Sequence, residues 1–406
     1  MNVLFISRNS PFESIGGIER YITNLIEYYK SQTSTHAYLL LPTDKDNYVE
    51  KHGNMTIYFD SSLALAKNDY KVQQEISKKA HRFSDKVKEI IKDHGIDIIC
   101  AENLHTDLPV AYNLLLNMIT ISNHIPLVLQ LHSFASTELQ IELINQLKWN
   151  QIICVSKSVA GDCFQKGADI NLLSTHYLGV NSNEFNTRVS ADLLKTKLDI
   201  PQESKIIMTA TRIIRGRQNI LREKGVINLI QAFSKLSPRY PHLKLLIAIG
   251  KPREDLQHEF KIAYENLQGY VKLHNVEANT ILHLFKMDEM PMVYRGSDIF
   301  ALPSENETFG QVFIEAMSCG LPVIGTKVGG IPEIISDSYN GFLVPPDDSS
   351  VLAQRIERLL NDTSIRNKFI SAGSKLVEST FTTQKQLSDF EKMLERTIAT
   401  NKISSQ

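Results

Sequence analysis

The sequence is short of the features that mark several special classes of protein. Its four cysteines, Cys100, Cys154, Cys163 and Cys319, stand far apart with no Cys-x-x-Cys spacing. That leaves neither a disulfide frame nor a cysteine-based metal site, and points to small buried thiols. Net charge is −1 over 406 residues, so no whole-protein field draws a polyanion and no nucleic-acid partner is expected. Any phosphate must then be met by local cations. No apolar run approaches the roughly 18 residues that a membrane-spanning helix needs. The start, MNVLFISRNS, lacks a basic leader followed by an apolar stretch, and a cytoplasmic protein is expected. Internal repeats and low-complexity tracts are also missing.

What is present is enough for two cores. A chain of this length with 42% hydrophobic and 22% charged residues exceeds one ordinary domain. Asn2 to Ser7 form an apolar run, a turn-rich loop NSPFESIGG follows, and Glu19 to Lys30 carry Ile22, Leu25, Ile26 and Tyr29 at helical spacing. Apolar runs recur at 36–41, 96–101, 125–131 and 151–156, separated by helical or loop segments such as the lysine-rich Asp69 to Lys92. After the polar stretch Asn181 to Gln202 the pattern restarts, with strands expected at 205–210, 243–250, 270–276, 297–303, 321–326 and 341–345. Near-continuous apolar strands alternating with helices predict parallel sheets covered on both faces, hence two doubly wound α/β domains with a boundary near 185–202. A ligand is expected in a cleft at the C-terminal ends of the strands. The last amphipathic segment, Thr383 to Thr397, places Leu387, Phe390, Leu394 and Thr397 in register.

Two glutamates in SENETFGQVFIEAMSCG raise a chemical question. The strand before them ends at Pro303, and Thr308 with Gln311 predicts a capping box for a helix running to Cys319. Glu307 would stand just outside that helix and Glu315 about two turns inside, flanked by Phe313, Ile314, Ala316 and Met317. A dipole-complementing Glu307 and a solvated Glu315 are the plain alternative. Against it, carboxylates accept hydrogen bonds from ribose or sugar hydroxyls, and N–H groups at a helix start hold phosphate. A nucleoside diphosphate sugar carries all three parts. Its diphosphate would find cations in TATRIIRGRQNILREKG, with Arg212, Arg215, Arg217, Arg222 and Lys224; a merely solvated basic loop is the competing view.

These segments resemble a known family. Glu307 to Glu315 matches the E-x7-E signature of retaining glycosyltransferases of the GT-B fold, and PSENETFGQVFIEAMSCGLPVIGTKVGGIPEII is similar to family-4 members nearly throughout. The likeness extends to YRGSDIFALPS, NGFLVPPDD, Arg212 with Lys224-Gly225, LGVNSNEF (178–185) and GGIERY (16–21), and is stronger from about 205 to 347 than before. It implies two Rossmann-like domains facing across a cleft: an acceptor domain at 1–190, a nucleotide-sugar domain at 203–375, and a last helix, 376–406, crossing back. It also implies that Arg212 and Lys224 hold the diphosphate, Glu315 the ribose and Glu307 the donor sugar. Phe309, Gly310 and Gln311 would line the donor site, the last two through backbone N–H groups. Gly16 and Gly17 would let the backbone approach the ligand, and His132, at the end of LVLQLHSF, would stand near the transferred sugar.

The implied activity is a hexosyltransferase of class EC 2.4, with a UDP-sugar the expected donor. Sugar would pass to a hydroxyl of a glycan, glycolipid or small molecule with retention of configuration, in polysaccharide, glycolipid or glycosylated-product biosynthesis. Neither a cofactor nor a metal is expected. The chain departs from the pattern in the eleven residues between Arg212 and Lys224, about twice the usual number, in a second apparent extension at 283–290, and in Asn181 where aspartate is usual. Arg215 or Arg217 would then assist or replace Arg212. A glycoside hydrolase also uses paired carboxylates but needs no basic loop. A dehydrogenase is disfavoured because SIGGIER lacks the third glycine of G-x-G-x-x-G. A non-catalytic nucleotide-sugar-binding protein or partner subunit would keep the same motifs. The lysines of Asp69 to Lys92 suit either a solvated helix face or peripheral contact with the inner face of an anionic membrane.

Overall fold

The computed structural model describes residues 1–12, 16–31, 34–65, 73–213, 220–252 and 256–404. The chain forms two compact units. The first comprises Met1–Phe12, Ile18–Tyr177 and Gln386–Gln406, and the second Glu13–Gly17 and Leu178–Lys385.

In the first unit the strands are β1 (Asn2–Ser7), β2 (His36–Pro42), β3 (Tyr48–His52), β4 (Met55–Asp60), β5 (Ile98–Glu102), β6 (Leu127–Leu131), β7 (Gln151–Cys154) and β8 (Leu173–Thr175). They lie in the order β3-β4-β2-β1-β5-β6-β7-β8, parallel except for the β3–β4 pair. Strands β1, β5 and β6 are buried almost throughout, as their unbroken apolar runs require of a sheet covered on both faces. The β3–β4 hairpin was not expected from the sequence. Its turn signal is Gly53-Asn54: Gly53 has φ +59°, and a Cβ there would lie 2.2 Å from the Lys30 carbonyl oxygen.

The helix Thr383–Ser404 packs on this unit, burying Leu387, Phe390 and Leu394. Phe390 stacks on Phe5 of β1 at 6.3 Å between centroids, and Glu391 accepts from the Tyr28 hydroxyl at 2.8 Å. The lysine-rich segment forms the helix Gln73–His94, on which Lys78, Lys86 and Lys88 pair with Glu75, Glu89 and Asp85 three residues away. Such pairs are worth little individually, and they give this face the look of a solvated surface. Among the described residues no helix is long and apolar enough to cross a membrane.

In the second unit β9 (Lys205–Thr211), β10 (Leu243–Gly250), β11 (Thr280–Phe285), β12 (Ile299–Leu302), β13 (Val323–Thr326) and β14 (Phe342–Val344) form a sheet in the order β11-β10-β9-β12-β13-β14, with every pairing parallel. The strand expected at 270–276 is instead the end of the helix Gln257–Leu273. Leu267 and Val271, four residues apart, are its buried stripe, a spacing that serves a helix as well as a short apolar run serves a strand. The sheet position is taken by β11, which occupies the start of what read as an extension at 283–290; the rest of that stretch is a single 3-10 turn, Met287–Glu289, leading into the helix Met290–Arg295.

Each sheet reverses direction once. In the first unit the chain leaves β1 towards β2 and returns to place β5 on its other side; in the second it leaves β9 towards β10 and returns with β12. Beyond the C-terminal ends of such neighbouring strands the loops diverge and leave a crevice. Those two places hold the side chains considered next.

Candidate functional site

In the second unit the segments following β9 and β12 are locked together by close backbone approaches. Gly225 adopts φ +66°, and a Cβ there would lie 1.9 Å from the Pro303 carbonyl oxygen. The turn that follows Lys224 therefore presses on the end of β12. Glu305 donates its N–H to the Glu223 carbonyl at 2.7 Å, and the Lys224 ammonium reaches the Glu307 carboxylate at 3.0 Å. Both side chains are mostly buried, 28% and 14% exposed, so the pair is less screened than a surface ion pair. Glu307 is held from the other side as well: its carbonyl accepts from the Gly330 N–H at 3.0 Å.

The helix Gln311–Ser318 opens directly after this loop, and not by the expected capping box. Its cap is Gly310 at φ +98°, a left-handed position that suits glycine, with no side-chain cap hydrogen bond. Gln311 is drawn elsewhere: its side-chain nitrogen donates to the Gly179 carbonyl at 3.2 Å. The first N–H groups of the helix have no acceptor within it. Phe309 is buried and meets the ring of Phe381 at 5.9 Å. Glu315 is buried, not solvated, and accepts from the Tyr294 hydroxyl at 2.9 Å. Tyr294 lies in the MPMVYRGSDIF stretch, whose sequence carries no sign of this contact.

Of the basic loop, Arg212 follows β9 and is exposed. Arg222 is committed to two carboxylates, Glu305 at 3.0 Å and Asp347 at 3.2 Å, at the rim of a cleft of about 380 Å³ also lined by Asn228, Gln231 and Tyr270. Arg215 and Arg217 lie outside the described residues. Gly16 is half-buried and Gly17 is the exposed first residue of the helix Gly17–Ser31.

In the first unit His132 follows β6 and is buried with Glu102, the last residue of β5, its Nε2 lying 2.8 Å from the Glu102 carboxylate. Gln130, one pleat back on β6, sets its side-chain amide 3.0 Å from the Tyr21 hydroxyl and, with its nitrogen turned to the carboxylate, 3.1 and 3.3 Å from the two Glu102 oxygens. The Tyr21 ring packs on the imidazole at 5.1 Å. Burial raises the Glu102 pKa, and the hydrogen bond from His132 opposes that rise. Asn103, at φ +56°, accepts the His132 backbone N–H at 3.1 Å. Beside them Asp107, hydrogen-bonded by Asn9 at 2.7 Å, is pushed up to about 6 by burial. Of this cluster only His132 stands out in the sequence. Glu102, a carboxylate ending the apolar run IDIICAE, carries the same kind of signal.

Two histidines of this unit give it an acid-sensitive fold. Burial lowers His176 to about 4, and this neutral ring lies 2.8 Å from the Gln386 carbonyl, to which its Nε2–H donates. Burial lowers His105 to about 3. On acidification the unfolded chain takes up these protons first. The stabilisation is therefore complete above an unfolded pKa of about 6.5 and is lost as pH falls towards 4 and 3. Each histidine contributes about 1.4 kcal/mol per pH unit, with Asp107 acting in the opposite sense between about 4 and 6. Denaturant titrations at pH 6.5 and 5.5 are expected to show the loss, and His176→Gln to flatten its share. An unchanged slope in the variant would refute the assignment.

The triplet Asp44-Lys45-Asp46 has aspartate-x-aspartate spacing, but both carboxylates are exposed between β2 and β3. Among the described residues no three His, Cys, Asp or Glu side chains gather as a metal-binding group.

Comparison with known proteins bears on both units. The chain is 26% identical over 315 residues to N-acetyl-alpha-D-glucosaminyl L-malate synthase of Bacillus anthracis, covering 76% of this chain and 77% of that protein. Matches to two other curated relatives span 57% and 38% of those proteins' length. Sucrose-phosphate synthase from Thermosynechococcus elongatus superposes with a TM-score of 0.80 at 18% identity, over 98% of this chain and 99% of that one. HepE of Anabaena, solved in complex with UDP and glucose, superposes with a TM-score of 0.75 at 20% identity, over 98% and 100%. At those identities the likeness is one of fold: two Rossmann-like α/β units of the GT-B kind. Residues 194–376, most of the second unit, match the family model described as Glycosyl transferases group 1.

Proposed function

We propose that this chain is a retaining glycosyltransferase that takes a sugar from a nucleoside diphosphate donor, UDP being the nucleotide, and passes it to an acceptor hydroxyl. The observation that carries the proposal is the Lys224–Glu307 pair at the crevice beside β9 and β12, next to a helix start capped by a left-handed glycine. The likeness to an N-acetyl-alpha-D-glucosaminyl L-malate synthase and the UDP and glucose in the HepE complex support the choice of donor.

The pair has a direct use. Without a ligand Glu307 neutralises Lys224. A diphosphate entering the site offers Lys224 a stronger anion, and Glu307, released, becomes an acceptor for hydroxyls of the donor sugar. As the glycosidic bond breaks, charge accumulates on the leaving diphosphate, where Lys224, Arg212 and the N–H groups of Gly310 and Gln311 stabilise it without a metal. A phosphate oxygen of the leaving group takes the acceptor proton on the same face, which gives retention with no protein nucleophile. Glu315, fixed by Tyr294, accepts from the ribose hydroxyls.

The test is release of free UDP, GDP and ADP from their sugar conjugates, with and without pooled glycan, glycolipid and small-molecule acceptors, and with and without chelator. Acceptor-stimulated release of UDP that persists with chelator and is lost in Glu307→Ala is expected. Binding of a donor with no release under any acceptor would reduce the protein to a nucleotide-sugar binder.

A further inference from the structure

The first unit holds a polar arrangement whose donors and acceptors can be counted. With its nitrogen turned to the carboxylate, the Gln130 amide lies 3.1 and 3.3 Å from the two Glu102 oxygens, and the His132 Nε2 stands 2.8 Å from one of them. An ionised carboxylate has only acceptors to offer, so a fully buried Glu102 carboxylate facing Nε2 accepts its hydrogen. The hydrogen of a neutral imidazole is then on Nε2. His132 Nδ1 is buried and has no hydrogen-bond partner among the described residues, which leaves its lone pair open to a donor.

We propose that Glu102 is a positioning residue that fixes His132 as the Nε2–H tautomer, so that Nδ1 meets the substrate as an acceptor for a hydroxyl. The assignment rests on the transferase reading for the identity of that hydroxyl as one of a sugar. Its geometry stands on the first unit alone. Three further contacts hold the ring to one orientation. Asn103 grips the His132 backbone N–H at 3.1 Å from a left-handed backbone position. Tyr21 covers the ring at 5.1 Å, and the Tyr21 hydroxyl is tied to the same Gln130 amide that serves Glu102. Turning the ring over would exchange Nδ1 with a carbon and break the Glu102 contact. A ring so held accepts from a hydroxyl through Nδ1 and donates to none, so the substrate must supply the hydrogen.

The imidazole ¹⁵N spectrum of the wild-type protein at neutral pH decides the tautomer without any variant. A protonated Nε2 and a bare Nδ1 are expected for His132, assigned by its loss in His132→Gln. A proton on Nδ1 would overturn the proposal. In parallel, Glu102→Gln is expected to lower kcat about 10- to 100-fold, in the range of outer-shell partners that orient a functional histidine, with the donor KM little changed and the ¹⁵N pattern altered. A folded Glu102→Gln protein with wild-type kcat would also overturn it. Absence of donor turnover by the wild type would overturn the transferase reading and not this assignment, which the spectrum decides by itself.

Discussion

Replacing Lys224 by alanine is expected to lower turnover of a nucleotide-sugar donor roughly 10²–10³-fold, the loss found when one preorganised donor to a developing anion is removed. Lys224 is pinned on both sides. Gly225 holds its turn 1.9 Å, measured from a notional Cβ, from the end of β12, and Glu307 holds its ammonium at 3.0 Å. A cation so placed needs little reorganisation when charge appears on a leaving diphosphate. The same geometry predicts that the two partners do not act independently. Lys224→Ala leaves Glu307, 14% exposed, as an unpaired carboxylate that repels the diphosphate, and Glu307→Ala leaves Lys224 free to bind phosphate while the sugar loses its acceptor. The double variant should therefore lose less than the product of the two single losses, with a coupling of about 0.5–3 kcal/mol, as for directly contacting residues. Free-nucleotide release gives kcat for the four proteins, and calorimetry gives their Tm. Single variants that lower Tm and leave kcat alone would reduce the pair to a structural ion pair.

How much of this was legible in the sequence depended on the distance over which each signal acts. Glu307, Gly310 and Glu315 lie within one strand–loop–helix passage, and local spacing is enough to single them out. His132 could be marked because it ends an apolar strand. Its pairing with them was hidden: Tyr21, Glu102 and Gln130 come from a helix, β5 and β6, and they meet only because β5 and β6 are neighbours on the same side of β1. Nothing in the local pattern of ICAE or LVLQ records that adjacency.

Two expectations failed for a different physical reason. The run YVKLHNV has the apolar content of a strand and the i, i+4 stripe of a helix, and the preceding EFKIAYENLQ extends the helical pattern far enough to win. Thr308 and Gln311 have the spacing of a capping box, but glycine at the intervening cap position allowed φ +98° and a turn that needs no side-chain cap. The left-handed glycine at the helix start thus takes the place of the box. Arg222 shows the limit of composition: five cations in one stretch suggest a diphosphate cradle, yet the folded chain gives Arg222 to Glu305 and Asp347.

Gly329 carries the largest expected effect on stability. It stands in TKVGG with φ +51°, and a Cβ there would lie 1.8 Å from the Glu307 carbonyl oxygen. That oxygen cannot retreat freely, because it accepts the Gly330 N–H at 3.0 Å, and a Cβ on Gly330 would itself meet the Thr308 carbonyl oxygen at 2.5 Å. Gly329→Ala must therefore move the loop that carries Glu307, adding displacement to the cost of about 1 kcal/mol or more for a left-handed non-glycine residue. A total of at least about 3 kcal/mol is expected, a fall in Tm of roughly 6–12 °C for a unit of this size, with donor turnover lost at temperatures where the variant remains folded. Gly95 provides the control. It has φ +57° and nothing within 4 Å of its notional Cβ, so Gly95→Ala should show the conformational cost alone, about 1 kcal/mol. Equal losses in the two variants would mean that strain at the glycine, and not the wedge against Glu307, is what the turn avoids.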